Sequence, residues 1–249
     1  MDRAIVKRRC NLFGNVTWAI ALRYASPMCG RYALYGPISR HRDHFGVPDD
    51  GFAFGPRYNL APGQALPIVR ADPTGNRSFL LALWGLIPAS AKVTDTLLKP
   101  INAKAETAAI KPLFRHAFRQ SRVLVPADAF YEWQAVAGQK LPYLIHMKDE
   151  QPFGFGGLLE YWRGPAGDVA TFTILTTSPN ALVAEIHNRM PVIIQPEHYA
   201  EWLDPAVTDV SRLHTLIGPY PEQLMEAYRV SKMVNSPANE CVELIGRQS

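Results

Sequence analysis

The chain predicts an α+β protein with a largely antiparallel sheet, on three observations. Short apolar runs, several of them β-branched or aromatic, recur through its middle; helical patterns fall between and after them; and turn signals separate neighbouring runs. In order, residues 79–84, 123–125, 143–147, 153–159 and 172–175 read as strands. Pro73-Thr74-Gly75-Asn76 and Ala137-Gly138-Gln139 read as turns, the second closing a hairpin. Residues 112–120, 181–186, 196–203 and 209–216 read as helices. Pro196 suits the first turn of the third, where its missing N–H leaves no bond unmade. The 21 prolines are scattered and no repeat interrupts them, which fits one loop-rich compact domain.

At 249 residues the chain can bury a sizeable core, and 47% hydrophobic with 19% charged residues is ordinary globular composition. Its basic balance is misleading. Residues 1–27 carry Arg3, Lys7, Arg8, Arg9 and Arg23 against Asp2, leaving 21 groups of each sign in the remainder. Bulk charge therefore argues nothing about nucleic acid; only a local basic groove would. Cys10, Cys29 and Cys241 form neither a disulfide framework nor a metal-ligand spacing. A monomer in a reducing cytoplasm, without metal or cofactor, is expected. No stretch approaches the roughly 20 apolar residues of a membrane span. Residues 1–27 read as an extension, arising from a start placed too far upstream or from a segment later removed, and residues 28–249 as the working domain.

The most informative word is Met28-Cys29-Gly30-Arg31-Tyr32. A chain trimmed to begin at Cys29 would carry an amine and a thiol on adjacent carbons. An α-amine titrates near about 7.7–8.0, so a useful fraction is free base at neutrality, whereas a lysine near about 10.4 is almost wholly protonated. Such an amine forms a Schiff base with an aldehyde, and the neighbouring thiol can then close a five-membered thiazolidine at high effective molarity.

Further words carry matching chemistry: Arg57-Tyr58-Asn59-Leu60-Ala61-Pro62-Gly63, Trp84-Gly85-Leu86-Ile87-Pro88, Asn102-Ala103-Lys104-Ala105-Glu106-Thr107, Phe130-Tyr131-Glu132-Trp133 and Ile186-His187-Asn188-Arg189-Met190-Pro191. In this order they resemble the SRAP family, the SOS-response-associated peptidases or abasic-site-processing proteins, from Met28 to about Ile245. The resemblance implies a curved, barrel-like β core with one face open as a DNA channel. It also implies self-processing that exposes Cys29, and covalent capture of abasic sites in single-stranded DNA.

Under that resemblance Cys29, Asn102, Glu132 and His187 are the catalytic set. Glu132 stands between Tyr131 and Trp133, so partial desolvation is expected to raise its pKa into a useful acid–base range. His187, with an ordinary pKa near neutrality, suits protonation of the sugar ring oxygen or the imine. Asn102 would hold the sugar by its amide; on residue type alone it is a turn or cap residue. Arg31, Lys104 and Arg189 are candidate phosphate contacts, Asn59, Pro62 and Gly63 a loop lining the DNA path, and Thr176 a pocket support on the DNA side. Trp84 reads as core, Glu106 and Thr107 as local structure, and His41 and His44 as a solvated face. Two departures from the family pattern stand out. Lys104 replaces a common arginine and lacks its bidentate fork, and no tryptophan follows Pro88 to wedge between bases. Two other functions remain open: a thiol peptidase using Cys29 and His187 with Glu132 or Asn102, and a noncatalytic single-stranded nucleic-acid-binding β module.

Overall fold

The computed structural model describes residues 29–91, 99–165 and 167–248; the expected extension over residues 1–27 lies outside them. Strand β1 (Tyr32–Leu34) leads into helix α1 (Ile38–Phe45), followed by β2 (Arg57–Leu60), β3 (Ala65–Ala71) and β4 (Arg77–Trp84). After β5 (Asn102–Lys104) come α2 (Ala105–Ala108) and α3 (Arg115–Gln120). Five strands then run in succession: β6 (Arg122–Ala127), β7 (Ala129–Val136), β8 (Gln139–Met147), β9 (Phe153–Gly164) and β10 (Gly167–Thr177). The chain continues through α4 (Ala181–Ala184), β11 (Met190–Pro191), β12 (Ile193–Ile194), α5 (Tyr199–Leu203), α6 (Val210–Thr215) and β13 (Met225–Arg229). Two 3₁₀ turns, Lys232–Asn235 and Val242–Ile245, end the described chain.

The centre is a closed ring. β3 pairs with β4 and β6, β9 with β6 and β10, and β10 completes the circuit on β4. Closure removes exposed strand edges, which open antiparallel sheets must otherwise protect. The pairings are antiparallel except where β10 meets β4 and β5 in parallel. The barrel-like α+β architecture is thus as expected, although the ring itself has no open side. A second sheet, ordered β13-β8-β7-β1-β2, is antiparallel throughout and lies against the barrel. Tyr32, Leu34 and Phe130 from that sheet share one core with Trp84, Phe155 and Phe172 from the barrel. Its opposite face, Ala33, Ala129, Tyr131 and Leu144, is covered by Val230, Val234 and Leu244 from the C-terminal turns. Both faces of the outer sheet are therefore buried, with alternate residues serving each.

The helices and hairpin fall where the sequence places them. Asp209 caps α6 through Ser211 N–H, and Asn180 caps α4 through Val183 N–H. Strands β1, β2, β3, β5, β11, β12 and β13 and helices α1 and α2 escape the sequence pattern, several for visible physical reasons. β1 has three residues. β3 carries Pro67 within its span, paired opposite Leu81, and proline ordinarily argues against a strand interior. In α1 the buried stripe includes a histidine, His41, with Phe45. Gly46, at φ 62°, ends that helix in the left-handed conformation and donates back to Arg42 and Asp43 carbonyls.

Candidate functional site

β1 and β7 pair antiparallel with Tyr32 opposite Phe130, and Tyr131 N–H donates to Arg31 O at 3.0 Å. Continued upstream, this register carries Cys29 past Glu132. The backbone nitrogen of Cys29 lies 2.8 Å from Glu132 Oε1, in a buried contact between residues 103 positions apart. Cys29 adopts φ 47°, a left-handed conformation that costs a non-glycine residue about 1–2 kcal/mol.

Glu132 is only 2% exposed. Its sequence neighbours do not cause this. Tyr131 and Trp133 project to the other face, towards the C-terminal turns, while Glu132 shares the face of Phe130, which packs on the barrel. Burial drives its pKa above the ordinary carboxylate value. The charge of His187, the Cys29 thiol and backbone N–H, and the Trp133 N–H pull the other way without prevailing. The Cys29 thiol is itself pushed well up, chiefly by burial, then by the Glu132 charge and the hydrogen bond between them; Arg189 opposes weakly.

His187 follows α4, its N–H donating to Val183 O at 2.8 Å. His187 Nδ1 lies 3.2 Å from the Arg189 backbone nitrogen and 3.3 Å from the Arg189 carbonyl oxygen, so its ring is held by the backbone of the turn. Cys29, Glu132, His187 and Arg189 are thus one electrostatic cluster. Among the described residues Asn102, half-buried on β5, makes no hydrogen bond to that cluster, and its buried Nδ2 has no partner. A buried amide donor left unbonded costs about 1–3 kcal/mol.

Several expected DNA contacts are corrected. Asn59 is fully buried, so it cannot line a strand's path. Its Nδ2 donates to the Ser236 and Asn239 carbonyls at 2.9 Å each, and its Oδ1 accepts from Arg31 at 2.8 Å. Arg31 also donates to the Val234 and Asn235 carbonyls at 2.7 and 3.2 Å, so its fork ties the C-terminal turns to β1. Thr176 is fully buried and supports Arg189 rather than facing DNA. Arg189 is bidentate to Glu106, through 2.5 and 2.9 Å contacts, which leaves it oriented but largely committed. Pro62 is half-buried and Gly63 exposed, in a turn where Gly63 has φ 84° and donates to Trp84 O at 2.9 Å. Lys104 is exposed. His41 is fully buried, not solvated, and its Nε2 lies 3.3 Å from Asp128 Oδ2. His44 is half-buried, 3.1 Å from Tyr199 Oη.

Sequence reasoning missed the Asp128 clamp. Asp128 Oδ2 accepts Tyr35 and Gly36 N–H at 2.7 and 2.8 Å, fixing the exit of β1 to the start of β7. It also missed Asn235, whose Oδ1 accepts the Trp133 indole N–H at 2.8 Å beside Glu132. Neither residue belongs to a word with visible chemistry. Among the described residues no cluster of three His, Cys, Asp or Glu side chains could hold a metal, and no helix is long and apolar enough to cross a membrane. A cavity of about 360 Å³ lined by His44, Met147, Phe153, Tyr199, Tyr220 and Leu224, among others, includes none of the candidate site residues.

Fold and site together define a single-barrel α+β protein built around a cysteine whose backbone nitrogen meets a buried carboxylate. The chain belongs to the SOS response associated peptidase (SRAP) family, whose model matches residues 28–237. It is 43% identical over 224 residues to the abasic site processing protein YoqW of Bacillus subtilis, covering 88% of this chain and 99% of that protein. It is 27% identical over 230 residues to the abasic site processing protein YedK of Escherichia coli, covering 88% and 99%. A crystal structure of a Bacteroides thetaiotaomicron protein superposes with a TM-score of 0.80 at 25% identity, covering 89% of this chain and all of that one.

Proposed function

We propose that this protein senses abasic sites in single-stranded DNA and captures them covalently through Cys29, once the residues before it have been removed. The observation that carries the reading is the 2.8 Å approach of the Cys29 nitrogen to Glu132 Oε1. In the unprocessed chain that nitrogen is an amide; as a free amine it would sit within proton-transfer reach of a buried carboxyl group. The positive φ of Cys29 supports processing, because the strained rotation involves the bond to residue 28 and disappears when that bond is cut. The family's peptidase description agrees with such self-cleavage.

The chemistry balances without a cofactor. His187 in its imidazolium form gives a proton to the ring oxygen, the C1′–O4′ bond breaks, and the C1′ hydroxyl releases its proton to solvent as the aldehyde forms. The neutral Cys29 amine adds to C1′, Glu132 moves protons from nitrogen to oxygen, and water leaves to give the imine. The Cys29 sulfur then bonds to C1′, its proton ending on the former imine nitrogen. Asn102, with an unpartnered donor, holds a sugar oxygen during closure. Lys104 and the residual donors of Arg189 seat the backbone. The same groups would shield the lesion from strand cleavage.

The raised thiol pKa weighs against a thiol peptidase acting in trans, since such enzymes depend on a depressed one. Intact mass spectrometry, with and without an abasic oligonucleotide, tests the proposal. The expected species begins at Cys29 and gains the oligonucleotide mass less one water. A protein that retains Met28 and forms no adduct would sink it. Acetylating the processed N-terminus separates the rival: crosslinking should vanish, whereas thiol hydrolysis would survive.

A further inference from the structure

We infer that the ridge formed by Lys111 and Arg115, with Ile110 beside it, is a second nucleic-acid contact that carries the single strand onward from the abasic nucleotide. The inference rests on the reading above for its partner, but its observations are separate. Outside residues 1–27 the chain is charge-balanced, yet residues 99–122 hold six basic groups (Lys99, Lys104, Lys111, Arg115, Arg119 and Arg122) against one acid, Glu106. That acid is already engaged by Arg189.

The backbone sets two of these cations, Lys111 and Arg115, one turn apart on the same side. Lys111 N–H donates to Thr107 O at 3.0 Å, and Arg115 N–H donates to Lys111 O at 2.9 Å. Residues 107, 111 and 115 therefore stand one above another at successive turns. The opposite side of the segment faces the core through Phe114, Ala117 and Phe118, so the row points outward. Lys104, Lys111 and Arg115 are exposed, and none makes an ion pair among the described residues. Arg119 is held differently, its guanidinium bonded to the Ala109 and Arg115 carbonyls, which stiffens the ridge. Glu160 approaches the neighbouring His116, marking an acid at the ridge's far end.

Ile110 is 71% exposed, the highest value among the exposed large apolar residues. Its position between Lys104 and Lys111 gives the combination that single-strand binding uses: cations tracking phosphates with an apolar surface against a base. The ridge is continuous with the site. Lys104 immediately precedes α2, and Glu106 on α2 grips Arg189 of the Cys29 cluster. An ordinary solvated face would mix the two signs evenly, whereas the acid of this segment, Glu106, is paired with Arg189 and not with the ridge cations.

Fluorescence anisotropy with a labelled single strand lacking any abasic site tests the ridge independently of covalent capture. Lys111→Gln/Arg115→Gln should weaken binding and lower the slope of log K against log salt by about 1.4, from two contacts of roughly 0.7 each. Lys148→Gln/Arg229→Gln, removing the same charge elsewhere, should leave the slope unchanged, and Lys111→Arg/Arg115→Lys should restore it. Ile110→Ser should weaken binding without altering the slope. Equal losses in both charge-removed variants, an unchanged slope in the ridge variant, or an effect seen only with duplex probes would each overturn the inference. A wild-type protein that binds this probe through the ridge but never crosslinks a matching strand that carries an abasic site would sink the capture reading alone.

Discussion

Replacing Glu132 with glutamine isolates what the buried carboxyl group does. The substitution is nearly isosteric, and the amide oxygen can still accept the Cys29 nitrogen at the 2.8 Å position, so geometry survives while proton transfer is lost. General acid–base catalysis contributes typically about 10²–10⁴-fold, or roughly 3–5.5 kcal/mol of barrier. Crosslinking at saturating abasic oligonucleotide should slow by that factor near neutral pH. The deficit should shrink as pH rises past the amine's own titration, because free base then forms without help. DNA affinity should move little, since the proposed role of Glu132 is at the reacting C1′ and the phosphate contacts are left intact. Stability gives an independent readout. Burial raises the folded pKa of Glu132, so its contribution is fully present below the unfolded carboxyl value and is lost as pH rises through the folded one. Glu132→Gln should abolish that decline and be at least as stable as wild type on the alkaline side. Rapid-quench crosslinking from mildly acidic to alkaline pH, alongside thermal melts, measures both. Wild-type rates at neutral pH, or a defect of equal size across the range, would refute the proton-transfer role.

Three further outcomes follow from named contacts. Cys29→Ser in the processed protein keeps the amine but not the sulfur; borohydride should still trap an imine, while the thiazolidine adduct should be absent from mass spectra. Asp128→Asn should cost roughly 3 kcal/mol in denaturant melts, because it leaves buried His41 without its charged partner. Burial raises the Asp128 pKa, but His41 and the Tyr35 and Gly36 N–H groups lower it further; wild-type stability from this group therefore holds above about pH 3.9 and fades as pH falls through the folded value, a fade the variant should lack. Gly157→Ala would set a methyl 2.9 Å from Val123 Cγ2 and 3.3 Å from the Thr173 carbonyl, so β9 should lose about 1–3 kcal/mol in thermal melts.

The pairing of Cys29 with Glu132 was legible because each lies in a short word rich in chemistry, and β7 and β8 declare themselves through their turn. The cause of the Glu132 environment was not legible. Adjacent aromatics suggested desolvation, yet they face the other way, and Glu132 lies on the face of Phe130, which packs on barrel residues distant in sequence. Arginines beside reactive residues read as phosphate contacts, but the sequence did not show that Arg31 also holds backbone carbonyls and that Arg189 also grips Glu106. A sequence shows which charges are near one another along the chain, but not which acceptors the fold brings to them. The His41–Asp128 pair illustrates the same limit: histidine on a polar helix looks solvated until a carboxylate 87 positions away is packed over it.

The two titrating groups at the site fix the order of events in the proposed capture. A thiol raised by burial and by the Glu132 charge is a poor first nucleophile, because little thiolate exists at neutral pH. The adjacent nitrogen has a proton acceptor at hydrogen-bond distance and needs only a small free-base fraction to react. Attack by the amine therefore comes first. The imine it creates is electrophilic and, when protonated, cationic, which offsets the negative potential that disfavours the thiolate and lets sulfur close the ring within the same residue. The burial that makes Cys29 unsuited to general thiol chemistry thus confines its sulfur to an electrophile that the amine has already bound.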